Sequence, residues 1–270
     1  MVRNMRSINQ DRISSVSNWQ PELYVWFGAY RTRAARDLLA HIPLDDVEYA
    51  VDLGCGPGNS TVLLAERWPK ARIVGVDNSS SMLDRASRTY PQFKWTKADL
   101  AQFQPDATPD LIFANASLQW VQDHARLLQR LGTSLRKGGV LAFQVPYLKQ
   151  QPVAEVYLRL INSDRWRHYP PPDERLTVED PAFYYDVLAG CCKEAEVWET
   201  VYYHSLENHR AMVAWYQSTG LRPFLANLPD DETRTEFMEE LAGLYEKQFP
   251  PQIDGRVLFP FHRLFAVAVR

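Results

Sequence analysis

The run Val51-Asp52-Leu53-Gly54-Cys55-Gly56-Pro57-Gly58-Asn59-Ser60 sets three glycines on alternate positions, directly after the apolar residues 49–53 and before a helical stretch at 60–67. A strand that feeds a helix through so tight a turn is the unit from which parallel sheets are built. Gly54, Gly56 and Gly58 let the backbone approach a ligand where a Cβ would clash. Further short apolar runs at 72–76, 93–97, 110–114 and 140–145 alternate with helical stretches such as 118–135, so the chain predicts a doubly wound α/β fold.

Past Pro146 the pattern breaks. Pro152, Pro170, Pro171, Pro172 and Pro181 punctuate a stretch too long for an ordinary connection, which reads as lid and substrate surface. Residues 196–205 and 261–269 alternate as two last strands, and they frame helical stretches at 211–225 and 233–249. Ahead of the first strand, Leu23, Phe27, Tyr30, Ala34 and Leu38 recur at helical spacing, giving an amphipathic helix over 23–39 able to cover a site.

Charge and composition remove whole classes of function. Thirty Lys and Arg against thirty-three Asp and Glu give a net charge of −3, with no basic run along a helix, which argues against nucleic acid as a partner. No segment reaches the roughly 18 consecutive apolar residues that a membrane helix needs. Residues 1–17 lack the apolar block of a signal peptide, so the expected location is the cytoplasm. Cys55, Cys191 and Cys192 read as free structural thiols, and neither they nor the histidines stand at metal-ligand spacing, so no metal is expected.

The glycine turn also discriminates between cofactors. A dinucleotide fingerprint would put its third glycine where Asn59 stands, and Asp52 would repel a pyrophosphate. The same negative charge suits the cationic sulfonium and ammonium groups of S-adenosylmethionine. Asp77, closing the second strand, can accept from both ribose hydroxyls, with Asn78 and Met82 following it along the same crevice. Asp99 and Leu100 close the third strand as an adenine seat, and Asn115 faces the crevice from the fourth. Taken singly, each has a plainer reading as a cap or turn residue.

Through Asp52 to Gly58, Asp77, Asp99 and Leu135 to Gly139 the chain resembles the class I S-adenosylmethionine-dependent methyltransferases. That resemblance implies a seven-stranded Rossmann-like sheet, last strand antiparallel, with a mostly helical lid insertion. The chain then divides into a helical cover at 1–48, a cofactor-binding core at 49–146, and lid helices with the last two strands at 147–270. A closer likeness, to the trans-aconitate 2-methyltransferases, rests on Trp19-Gln20-Pro21-Glu22-Leu23-Tyr24 with Phe27, Arg31, Thr32 and Arg33, and on Ala114-Asn115-Ala116-Ser117-Leu118-Gln119-Trp120. It continues through Trp198-Glu199-Thr200, Tyr202, His204, Trp215, Thr219-Gly220-Leu221-Arg222-Pro223 and Phe259-Pro260-Phe261. Gly28-Ala29-Tyr30, Ala34 and His262 depart from the family pattern, and they bear on the substrate more than on the reaction.

What this likeness implies is methyl transfer to a carboxylate oxygen of a small polycarboxylic acid, by a monomer or weak dimer. A carboxylic acid with a pKa near about 4 is already ionised at neutral pH, so no catalytic acid or base is expected. Arg31, Arg33 and Arg222 are the candidate carboxylate holders, because a guanidinium binds carboxylates through two parallel bonds. Trp19, Tyr24, Trp120 and Tyr147 would wall the pocket, and Gln144 would donate to the substrate. Solvated arginines and core aromatics are the plainer alternatives. Two other functions stay open: methylation of a carboxylate, hydroxyl or carbon on a specialised metabolite, with His204 or His262 as base for a hydroxyl, and a methyltransferase-like protein that binds without catalysis.

Overall fold

A computed structural model describes residues 28–147, 149, 151–169, 176–217 and 220–270. The chain forms two compact units, whose boundaries fall at the two ends of a helical insertion between residues 205 and 259 and around a second short segment, 152–174.

The larger unit is built on the sheet. Strands β1 (Tyr49–Leu53), β2 (Arg72–Asp77), β3 (Lys94–Lys97), β4 (Leu111–Asn115), β5 (Val140–Pro146), β6 (Glu194–Leu206) and β7 (Val257–Val269) stand in the order β3-β2-β1-β4-β5-β7-β6. The first five are parallel, and β7 runs antiparallel to β5 with Val140 opposite Val269. The central strands β1, β4 and β5 are buried on both faces, which is why they read as nearly continuous hydrophobic runs. Val51, Ile112, Ala114, Leu141 and Phe143 face one layer; Ala50, Leu111, Phe113, Val140 and Ala142 face the other. The first layer is closed by α4 (His124–Ser134) and α6 (Pro181–Ala189), through Leu127, Leu131, Tyr184 and Leu188. The second is closed by α1 (Gly28–Ala40) and α2 (Asn59–Arg67), through Ala34, Leu38, Leu63 and Leu64.

The smaller unit is helical: α5 (Pro152–Ile161), α7 (His209–Gln217), α8 (Arg222–Ala226) and α9 (Asp231–Gln248). Its core is aromatic. Phe237 on α9 meets Trp166 edge-on at 5.0 Å and lies 4.6 Å from Phe224, all three almost fully buried. Trp166 also donates its indole N–H to Glu240 at 2.8 Å, so its one polar atom is satisfied.

Several elements depart from the sequence reading. The helix expected over 118–135 is a 3₁₀ turn, Leu118–Trp120, followed by α4, because Asp123 adopts a left-handed φ of 52° and caps the Arg126 N–H. The helix expected over 211–225 is two helices, with Pro223 in the first turn of the second, where its missing N–H costs nothing. Pro152 and Pro181 likewise begin helices, and α6 packs on the sheet as core. Helix α3 (Ser80–Thr89), absent from the sequence reading, is started by the Ser79 hydroxyl accepting from Met82 N. Both long strands extend beyond the alternation read for them, to Glu194–Leu206 and Val257–Val269. Among the described residues no helix is long and apolar enough to cross a membrane, and no group of three or more His, Cys, Asp or Glu could hold a metal ion.

Candidate functional site

Strand order reverses between β1 and β4, and in open α/β sheets that switch point leaves a crevice outside the carboxyl ends of the strands. Ser117 pins its two walls together, donating from its hydroxyl to Leu53 O at 2.6 Å. Into this crevice rim the chain brings Asp52, the glycine turn, Asp77, Asp99, Asn115 and Gln144.

The glycine turn is held from below. Gly54 N and Cys55 N both donate to Val76 O, at 2.7 and 2.9 Å, so the turn lies over the end of β2. Gly54 and Gly58 have φ of 79° and 91°. A Cβ at Gly54 would stand 2.1 Å from the Ser117 Cβ, and one at Gly58 would stand 2.8 Å from the Trp95 ring. The two glycines are therefore demanded by the protein's own packing, where the sequence suggested only the approach of a ligand.

Asp52 is fully buried beneath the turn. Its Oδ2 accepts from Ser60 Oγ at 2.8 Å and Thr61 Oγ1 at 2.6 Å, joining the end of β1 to the first turn of α2. Among the described residues its Oδ1 has no partner. Burial pushes the carboxyl up to about 6 against the opposing pull of the two hydroxyls, with a further push from the Asp77 charge. Ser60 and Thr61 were not singled out from the sequence, although Ser60 ends the glycine run.

Asp77 closes β2 and is half-buried. Its Oδ2 accepts from Gly56 N and its Oδ1 from Ser79 N, both at 2.9 Å, so the carboxylate braces the glycine turn against the start of α3 and keeps a lone pair on each oxygen. Asn78 is exposed beside it, and Met82 is half-buried on α3. Asp99 is exposed, with Oδ1 accepting from Ala101 N at 2.9 Å, and its neighbour Ala98 donates to Asp77 O. Leu100 is buried, its Cδ2 lying 3.2 Å from where a Gly54 Cβ would be.

Asn115 ends β4, half-buried, its Oδ1 accepting from Gln144 Nε2 at 2.5 Å. Gln144 is fully buried, and its Oε1 accepts from Arg263 Nη1 at 2.9 Å. Gln144, expected to donate to the substrate, thus has both ends of its amide engaged by protein. Arg263, a charge inside the apolar β7, has no counterpart in the sequence reading.

Of the other substrate candidates, Tyr147 is buried and donates its hydroxyl to Asp180 at 3.0 Å, while Trp120 is 45% exposed. Arg33 is exposed on α1, its guanidinium 5.0 Å from the centre of the Tyr202 ring. Arg222 is exposed at the start of α8, in the smaller unit. Trp19, Tyr24 and the Arg31 side chain lie outside the described residues. His204 is almost fully buried and pushed down to about 3 by that burial and by the Arg263 and Arg33 charges, which leaves it a weak base. His262 meets Glu199 at 2.5 Å.

Residues 50–139 match a methyltransferase domain family. The chain is 45% identical to the trans-aconitate 2-methyltransferase of Azoarcus sp. strain BH72, over 93% of this chain and 99% of that one. The chain belongs to the trans-aconitate 2-methyltransferase family. The family's member from Escherichia coli strain K12 / DH10B is 44% identical, over 94% of this chain and 99% of its own. Among solved structures the YcgJ protein of Bacillus subtilis superposes with a TM-score of 0.58 at 12% identity, covering 88% of this chain and 98% of that one, a likeness of fold. As a member of this family the protein is an S-adenosylmethionine-dependent methyltransferase.

The site residues fit that cofactor. A buried carboxylate oxygen without a donor forfeits the solvation it had in water, and a cationic donor brought to Asp52 Oδ1 would restore it. A pH dependence follows. Asp52 is ionised above about pH 6 and protonated below, and only the ionised form attracts an ammonium or sulfonium. The dissociation constant for S-adenosylhomocysteine, measured by calorimetry, is expected to rise by about tenfold per pH unit below about pH 6. In Asp52→Asn that slope should vanish; a wild-type slope in the variant would assign the titration elsewhere. The sign for folding is opposite: with its folded pKa raised, Asp52 favours the folded state in acid, and this contribution is lost as pH rises through about 6.

Proposed function

We propose that this enzyme methylates a carboxylate oxygen of trans-aconitate, giving a methyl ester. The observation that carries the reading is 45% identity, sustained over 93% of the chain, to a trans-aconitate 2-methyltransferase. S-adenosylmethionine supplies an activated methyl group whose bond to sulfur breaks as the bond to the carboxylate oxygen forms, the sulfur keeping the electron pair.

Asp77 holds the ribose hydroxyls, with Asn78 and Met82 beside it, and Asp99 and Leu100 seat the adenine. Gly54, Gly56 and Gly58 carry the backbone past the cofactor, with Asp52 beneath them and Asn115 across the crevice. The acid is already an anion, so the protein has no proton to remove and its work is alignment. Arg31, Arg33 and Arg222 hold the carboxylates that do not react, and Trp19, Tyr24, Trp120 and Tyr147 keep water from them.

Release of S-adenosylhomocysteine on mixing enzyme, cofactor and trans-aconitate tests the reading, and a failure to turn over this acid would contradict it. Arg33→Ala and Arg222→Ala should each raise the KM for the acid by about tenfold or more, from loss of a charge-assisted pair, with cofactor affinity unchanged. Wild-type KM values would make these two arginines structural.

A further inference from the structure

The buried row Arg263, Gln144, Asn115 has a direction. Arg263 is only 4% exposed, and a guanidinium can donate but never accept. Against Arg263 Nη1, therefore, Gln144 must present its carbonyl oxygen, at 2.9 Å. That choice turns the other end of the Gln144 amide, its NH₂, toward Asn115. Asn115 in turn must present its own oxygen, at 2.5 Å. The Asn115 NH₂ is what remains, on a half-buried residue at the carboxyl end of β4, at the switch-point crevice, and it is not among the buried polar atoms lacking a partner. An amide that could face either way has been set by a charge two residues removed in the row.

We infer that Arg263 and Gln144 are positioning residues for the methyl acceptor, fixing Asn115 so that it offers N–H donors, and no acceptor, to a carboxylate of the acid bound in the crevice. The inference rests on the carboxylate-acceptor reading proposed above. An ionised carboxylate has only acceptor oxygens, so an amide facing it with NH₂ binds and one facing it with C=O repels. Hydrogen bonds in a dry row polarise one another in the same sense, so the buried charge strengthens the donor at the far end. The buried His204 feels the same row from its other side, its imidazole pushed toward the neutral form first by burial and then by the Arg263 and Arg33 charges. An outward NH₂ at Asn115 suits an anion and does not suit a cation.

Gln144→Glu reverses the row while keeping its shape. The substituted carboxylate still accepts from Arg263, now as an ion pair, but has no N–H to give, so Asn115 must turn its NH₂ inward and face the crevice with its oxygen. The KM for trans-aconitate should rise by about tenfold or more, with S-adenosylhomocysteine affinity within about twofold of wild type and thermal stability retained. In an Asn115→Ala background the same substitution should add less than about twofold, because the residue it acts through is gone. Arg263→Lys, which still donates to Gln144, should stay within about threefold of wild type.

Amide NMR reads the polarity without any turnover. In wild type the Asn115 side-chain NH₂ should exchange with solvent while that of Gln144 is protected, and in Gln144→Glu the Asn115 NH₂ should become protected. Unchanged exchange at Asn115 overturns the inference. So does an unchanged KM in the folded variant, and so does a loss confined to S-adenosylhomocysteine affinity, which would aim Asn115 at the cofactor. A wild-type enzyme inactive on the acid, with the exchange pattern as described, overturns the inference about the acceptor together with the proposed substrate, whereas an active wild type with unchanged variants overturns the inference alone.

Discussion

Asp77→Ala is expected to weaken S-adenosylhomocysteine binding by about two to four powers of ten, since two hydrogen bonds to a charged acceptor, each about 1.5 to 3 kcal/mol, leave together. The carboxylate has two tasks. Its Oδ2 and Oδ1 accept from Gly56 N and Ser79 N, both at 2.9 Å, which orders the glycine turn and the start of α3. In the proposed reading the second lone pair of each oxygen takes a ribose hydroxyl. Asp77→Asn keeps one acceptor but turns an NH₂ against one of the two backbone N–H groups, so it should lose affinity as well, by a smaller factor. Calorimetric titration of each variant, with circular dichroism to establish folding, checks this. A dissociation constant within about threefold of wild type for folded Asp77→Ala would move the ribose to another seat.

Gly54→Ala should act on the fold itself. The new Cβ would stand 2.1 Å from the Ser117 Cβ and 2.7 Å from its Oγ, the same hydroxyl that donates to Leu53 O. No rotamer of Ser117 moves its own Cβ, so backbone must shift at the point where β1 and β4 diverge. A left-handed φ for a residue bearing a Cβ costs about 1 to 2 kcal/mol, and overpacking costs about 1 to 3 more. For a chain of this size the expected loss is about 5 to 15 °C in Tm by scanning calorimetry. The cofactor would lose its seat in the same variant, because the Gly54 and Cys55 N–H bonds to Val76 O hold the turn in place. A Tm unchanged from wild type would mean that the turn and Ser117 are not packed as described.

How far these features could be read from sequence depended on whether a local rule governed them. The central strands β1, β4 and β5 were legible because both faces of the sheet are buried there, which makes them nearly continuous apolar runs. The glycine turn was legible from its spacing, since its left-handed positions need glycine, and Asp52 and Asp77 do stand at the ends of β1 and β2 against it. Prolines misled where they begin helices: Pro152 and Pro181 read as interruptions and Pro223 as the interior of one helix, yet all three stand in a first turn, which needs no N–H there. Asp123 was missed as a break, although Asp is among the few residue types that tolerate a left-handed φ and cap helix starts. Arg263 was hidden for another reason. It sits among Phe261, Leu264 and Phe265, and only the register that sets β7 beside β5, placing Arg263 opposite Pro146, brings it to Gln144. No short-range pattern encodes a meeting between residues so far apart in the chain.

A carboxylate methyltransferase whose acceptor is trans-aconitate is tested most directly by mass spectrometry of its products. The enzyme is given S-adenosylmethionine and a panel of trans-aconitate, cis-aconitate, citrate and isocitrate. The expected product is a trans-aconitate monomethyl ester, formed in step with S-adenosylhomocysteine and in preference to esters of the other three acids. Tight cofactor binding with no ester of any of these acids would contradict that assignment.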